Sequence, residues 1–164
     1  MSVPSHAATY ERAGRLANLA MWTIALQRRR LRSDEPEDTE FVLRRWADFQ
    51  FLIAALYKLR RSALLAASVP VIETDIRSAL HEFDEALPML KSMRDIDEHF
   101  EDYALEKGKR KGLSRKTLEV GAFDDTTFEW LGYELNVDAA LNASQRLFAR
   151  CNAAIIDTLP EVGN

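Results

Sequence analysis

Cysteine is almost missing from this chain: Cys151 is the only one in 164 residues. A single thiol forms no internal disulfide and excludes a thiol-rich metal centre. Cys151 lies in an apolar helical stretch with neither histidine nor lysine beside it, so it reads as a small core residue and not a nucleophile. Long apolar runs are missing too. The longest uncharged stretch, Leu16 to Gln27, is shorter than the about 20 residues that span a bilayer. Glu11, Arg12 and Arg15 break the N-terminus before a signal-peptide core develops. A cytoplasmic protein with no membrane partner is the expectation. Formal net charge is only −4, which argues against general coating of nucleic acid, although a local basic patch is compatible with it.

Familiar catalytic signatures are also lacking. There is no G-x-x-x-x-G-K-[ST] phosphate loop, no G-x-G-x-x-G turn, no G-x-S-x-G elbow and no H-E-x-x-H helix. A di-iron bundle needs Glu-x-x-His pairs, and neither His81 nor His99 follows a glutamate by three residues. The acidic group Asp97, Glu98, Glu101 and Asp102 reads as a solvated face. No metal and no cofactor are expected.

What is present is helical periodicity. One domain is expected over residues 1–164, long enough to bury a core without cross-links. A first helix is expected from about Ser5 to Arg32, with Tyr10, Leu16, Leu19, Ile24 and Leu26 facing in. Its closing run Arg28, Arg29, Arg30 and Arg32 suits the negative end of the helix dipole. After a turn at Pro36, Asp38 or Thr39 would cap a second helix reaching about Ser68. Its broad apolar face (Phe41, Trp46, Phe49, Leu52, Ile53, Leu56, Leu59, Leu64) predicts a central position, with Arg44, Arg45, Arg60 and Arg61 on the solvated side. Ile72, Ile76, Leu80, Phe83 and Leu87 form the cleanest amphipathic stripe. Pro88 interrupts it, and Leu90, Met93, Ile96, Phe100 and Tyr103 continue as a further stripe to about Glu106.

Helical period then stops. Residues 107–116 form a basic loop, with Gly108 and Gly112 flanking Lys109, Arg110 and Lys111. A small β-hairpin is expected over about 117–135: Leu118, Val120 and Ala122 alternate, and Phe128, Trp130 and Leu131 follow a turn at Asp124-Asp125-Thr126. Asn136 or Asp138 would cap a last helix over about 137–159, with Ala140, Leu141, Leu147, Phe148 and Ile155 inward and Pro160 ending it. The fold class is therefore mainly all-α: a bundle of four to five helices with a small β-hairpin before the last helix. Trp22, Trp46 and Trp130 read as core or interface anchors, and His81 as a surface residue pairing at i,i+4. His6 lies in a terminal stretch that frays readily.

One segment carries possible chemistry: Arg94-Asp95-Ile96-Asp97-Glu98-His99, with Tyr103 one turn further on. Arginine and histidine separated by four residues, with aspartate after the arginine, resemble the HEPN superfamily (higher eukaryote and prokaryote nucleotide-binding domains). Its hallmark is an Arg-x(4–6)-His motif, often with a polar residue after the arginine. The resemblance covers the motif and the helical context. It implies a helical bundle, a homodimer, and a metal-independent ribonuclease or RNA-binding function, in some members opposed by an antitoxin-like protein. Arg94 would then clamp phosphate and His99 carry a proton, since imidazole has a reference pKa of about 6.5. Asp95 would fix the histidine tautomer and Tyr103 would orient substrate. Lys107, Lys109, Arg110, Lys111, Arg115 and Lys116 would attract the RNA backbone.

A second reading stands beside this one. On one helix Arg94 and His99 sit about 140° apart, and Asp95, Glu98 and Asp102 occupy the sector between them. That is also the composition of a solvated face held by Arg94–Glu98 and Asp95–His99 pairs. The chain would then be a non-enzymatic helical interaction or assembly module.

Overall fold

The computed structural model describes residues 4–33, 43–109, 113, 118 and 121–158. Ser5 accepts the Ala8 N–H at 3.2 Å and so caps α1 (His6–Leu31). α2 spans Arg44–Ala66. The expected caps Asp38 and Thr39, together with Phe41, lie outside the described residues. α1 and α2 are antiparallel neighbours: at the end of α1, the Arg30 carbonyl accepts from Arg44 at the start of α2 at 2.8 Å. α2 is central, packing against α1, α3, α4 and α6.

The inward face of α1 differs from expectation. Ala13, Ala17, Ala20, Ile24 and Leu31 are buried, whereas Leu16 and Leu19 face outward. Small side chains at helical spacing let the two backbones approach closely, and that contact selects the alanine stripe over the more hydrophobic leucines. On α2, Phe49, Leu52, Ile53, Leu56 and Leu59 are buried as expected, and Leu64 is exposed.

The stripe Ile72, Ile76, Leu80, Phe83 and Leu87 is buried throughout and belongs to α3 (Glu73–Ala86) and its flanks. Past Pro88, the expected single helix is two: α4 (Leu90–Glu98) and α5 (Phe100–Ala104), divided at His99. The break rotates Phe100 out to solvent while Leu90, Met93, Ile96 and Tyr103 stay buried. Among the described residues the helix count is consequently six.

Among the described residues the β element has three strands in the order β1-β2-β3, all antiparallel: β1 (Ala122–Phe123), β2 (Thr127–Trp130) and β3 (Tyr133–Asn136). Asp124 accepts from the N–H groups of Thr126 and Thr127 at 3.0 and 2.7 Å, closing the first turn. Leu131, expected in a strand, instead forms the second turn with Gly132. Both have positive φ (58° and 75°), as a type I′ hairpin requires. Phe128, Trp130 and Leu135 are buried. Phe128 stacks on Phe49 of α2 at 3.9 Å and Trp130 meets Trp46 edge-on at 5.0 Å, so aromatics bolt the sheet to α2. Val120 is outside the described residues.

Asn136 caps α6 (Val137–Thr158) by accepting the Ala139 N–H at 2.9 Å. Ala140 and Leu147 are buried, and Leu141, Phe148 and Ile155 are partly so. Cys151 is buried, and burial pushes its thiol up to about 11. The expected end at Leu159 and Pro160 lies outside the described residues. No helix among the described residues is long and apolar enough to cross a membrane.

The arginines do more than complement helix dipoles. Arg28 bonds Asp138 at 2.9 Å, tying α1 to α6, and Arg30 bonds Asp48 of α2 at 2.8 Å. Arg44, expected in solvent, has a side chain only 8 % exposed and also pairs with Asp48. Arg60 holds Asp84 of α3 through two bonds of 2.7 Å, which raise the guanidinium pKa despite burial. Arg45 is half-buried, over the Phe123 ring, and of these four arginines only Arg61 is exposed.

Candidate functional site

Burial of Met93 and Ile96 fixes how α4 is rotated, and with it the direction of each polar residue in the Arg94–His99 segment. α4 stops at Glu98. The His99 N–H reaches the Asp95 carbonyl at 3.2 Å, while the His99 carbonyl accepts from Asp102 and Tyr103 at 3.1 and 3.3 Å. His99 thus closes one helix and opens the next. Its ring is exposed and has no hydrogen-bond or ion-pair partner among the described residues. The expected Asp95–His99 side-chain pair is not formed; the two meet through the backbone.

A tight turn follows α5. Glu106 takes a left-handed conformation (φ 57°), and Lys107 N–H bonds the Asp102 carbonyl at 2.7 Å, the pattern that ends a helix by reversing the chain. The reversal lays Gly108 against the buried Tyr103 ring. A Cβ at position 108 would lie 2.2 Å from the Tyr103 ring, so any larger residue there has to displace the ring. The result is a cleft of about 420 Å³ lined by Asp95, His99, Asp102, Tyr103, Gly108 and Lys109.

Arg94 does not line this cleft. Its guanidinium bonds Asp95 at 3.1 Å, pairs with Glu98 one turn on, and lies 4.6 Å from the centre of the Tyr57 ring of α2. Burial lowers its pKa, but Asp95 and Glu98 outweigh this and hold it above the ordinary arginine value. Asp97 faces α2 and accepts from Gln50 at 3.1 Å; burial raises its carboxyl above the usual range, against that hydrogen bond.

The structure therefore brings together Asp95, His99, Tyr103 and Lys109 of the sequence-predicted residues and sets Arg94 on an adjoining face. Lys107 is exposed in the turn. Arg110, Lys111, Arg115 and Lys116 lie outside the described residues. Asp102 and Gly108 were not singled out as site residues. The i,i+3 spacing of His99 and Asp102 was the available signal for the first, whereas the close approach to Tyr103 leaves no trace in sequence. His81 is exposed and pairs with Glu85 at 3.4 Å, apart from this cleft. Among the described residues no group of three or more histidine, cysteine or acidic side chains is placed to hold a metal ion.

Chemically, the cleft is lined by an exposed imidazole, two carboxylates, a phenol and an ammonium group. Such a set can take up and return a proton beside a bound anion. Scanned against protein-family models, curated proteins and solved structures, the chain matches none.

Proposed function

We propose that this protein acts on RNA in the cytoplasm as a HEPN-like, metal-independent ribonuclease or RNA-binding protein, with His99 at the centre of its site. The observation that carries the reading is the cleft that the exposed His99 ring, with no side-chain partner among the described residues, lines together with Asp95, Asp102, Tyr103 and Lys109. His99 takes the proton of a ribose 2′-OH as that oxygen bonds to the adjacent phosphorus. The P–O5′ bond breaks, and a proton is returned to the leaving oxygen. Asp95 and Asp102 favour the imidazolium that forms meanwhile, and Lys109 balances charge on the phosphate.

This reading revises the role of Arg94. Among the described residues of one chain Lys109 is the cation lining the cleft, and Arg94 reaches RNA on the neighbouring face or across a homodimer in which two such faces share one groove. An antitoxin-like partner would act by covering the same cleft. The test is cleavage of a mixed structured and single-stranded RNA pool in EDTA. Wild type should cleave and His99→Ala should not; equal cleavage by both removes His99 from the chemistry.

A second reading is favoured by Arg94 itself. Held by two carboxylates of its own helix and packed on Tyr57, it has the surroundings of a structural residue. In that case the protein is a non-enzymatic helical assembly module, and folded wild type leaves RNA intact.

A further inference from the structure

The outward leucines of α1 have a consequence of their own, in a region that shares no residue with the His99 cleft. On the side of α1 and α2 turned to solvent lies a groove of about 520 Å³. Its floor includes Ala20, Ala54 and Ala55, whose small side chains make the surface concave. Leu19 and Phe51 stand on its walls at 63 % and 61 % exposed, and Trp22 projects nearby at 65 %. Large apolar side chains this exposed on one surface mark a face that is covered in use.

Charge indicates what covers it. Lys58 and Arg61 line the groove, are exposed, and make no ion pair among the described residues. Among the described residues no aspartate or glutamate lines it. Along α2 the lining runs from Phe51 to Leu65, and Lys58 stands at the middle of that span. A second copy docked on the same face about a two-fold axis through the groove would set Lys58 against Lys58, so self-association is electrostatically opposed. A flat bilayer surface does not fill a concave strip, and one acyl chain would leave Trp22 and the outer side of Leu19 wet.

The Phe51–Leu65 span is about 21 Å at the helical rise, or roughly four turns. A third helix laid along two others fits that shape, its ridge of side chains entering over the alanines. We infer that the α1–α2 groove binds an amphipathic helix of a partner protein, one with an apolar i, i+3/i+4, i+7 stripe and acidic residues flanking it to meet Lys58 and Arg61.

The test uses a labelled synthetic helix of four to five turns with a leucine stripe, made in a glutamate-flanked and a lysine-flanked version, and follows binding to the full chain by fluorescence anisotropy. The glutamate version should bind about tenfold more tightly than the lysine version, since two rim ion pairs supply about that factor. Phe51→Glu should abolish binding, and the double variant Lys58→Glu, Arg61→Glu should invert the preference. These positions are exposed, and unchanged circular dichroism would show that each variant folds. Equal binding of the two peptides, or a preference untouched by the charge reversal, overturns the inference. So does a dimer in sedimentation that Phe51→Glu dissolves, or binding to phosphatidylglycerol-containing vesicles that the same change removes.

Discussion

Two arginine–carboxylate clusters in this molecule contrast sharply. At one end, Arg28 meets Asp138 across 110 residues of sequence, while Arg30 and Arg44 converge on Asp48, so that ion pairs join α1 to α2 and α6. At the α4–α5 corner, the ion pairs of Arg94 among the described residues are with Asp95 and Glu98 of its own helix. The first cluster fastens separate elements, and losing it loosens the fold. The second is local, so its residues can be changed while the bundle persists. Similar composition joins separate elements in one place and pairs within a single helix, beside the His99 cleft, in the other.

The contrast can be broken most forcefully at Asp48, whose side chain is 4 % exposed beneath two guanidinium groups. Asp48→Ala should cost about 3 kcal/mol in urea unfolding, because it strips a buried arginine of a carboxylate partner. A loss under about 1 kcal/mol would mean the cluster is no more structural than a surface pair. Gly108→Ala is next, at about 1–2 kcal/mol by overpacking against Tyr103. Its effect should be local, displacing the Tyr103 ring in NMR spectra while the far cluster stays unchanged. Arg94→Ala should cost about 1 kcal/mol or less, the sum of one i,i+4 pair and a cation–aromatic contact. A cost near that of Asp48→Ala would erase the contrast.

Acid titration sharpens the comparison with smaller effects of opposite sign. Arg28 holds the Asp138 carboxyl below its ordinary pKa. Its contribution to stability is therefore present above the unfolded carboxylate value and is lost as pH falls through the depressed one. Asp97 is raised by burial, so its ionisation weakens the fold as pH rises from the unfolded value through the folded one. Asp138→Asn should lower stability at neutral pH and not at the acid limit, whereas Asp97→Asn should raise it at neutral pH. Melting curves at several pH values check both signs.

How much of this was legible in the sequence varies with the range of the interaction responsible. The ends of α1, the stripe of α3 and the cap of α6 follow from local spacing and local hydrogen bonds, and they are found where expected. The buried face of α1 departs from the apolar spacing because hydrophobicity ranks leucine above alanine, whereas close packing against α2 rewards the smaller residue. The role of Asp48 and Asp138 depended on partners in other elements, which periodicity does not reveal. At the candidate site, Arg94, Asp95, His99, Tyr103 and Lys109 were all named, but on the assumption of one continuous helix. The break at His99 and the turn through Glu106 decide which of them share a cleft, and apolar spacing marks neither, because both are made of local backbone bonds and a left-handed residue.

The proposed function rests on His99 carrying the proton in a cleft where Lys109, among the described residues of one chain, supplies the positive charge. Its most direct test is single-turnover cleavage of one RNA in EDTA by wild type, His99→Ala and Lys109→Ala, each shown to be folded. Cleavage should fall by about 100-fold or more without His99 and by about tenfold without Lys109. Intact RNA after incubation with folded wild type at high concentration would contradict the account, and so would a His99→Ala variant that cleaves as fast as its parent.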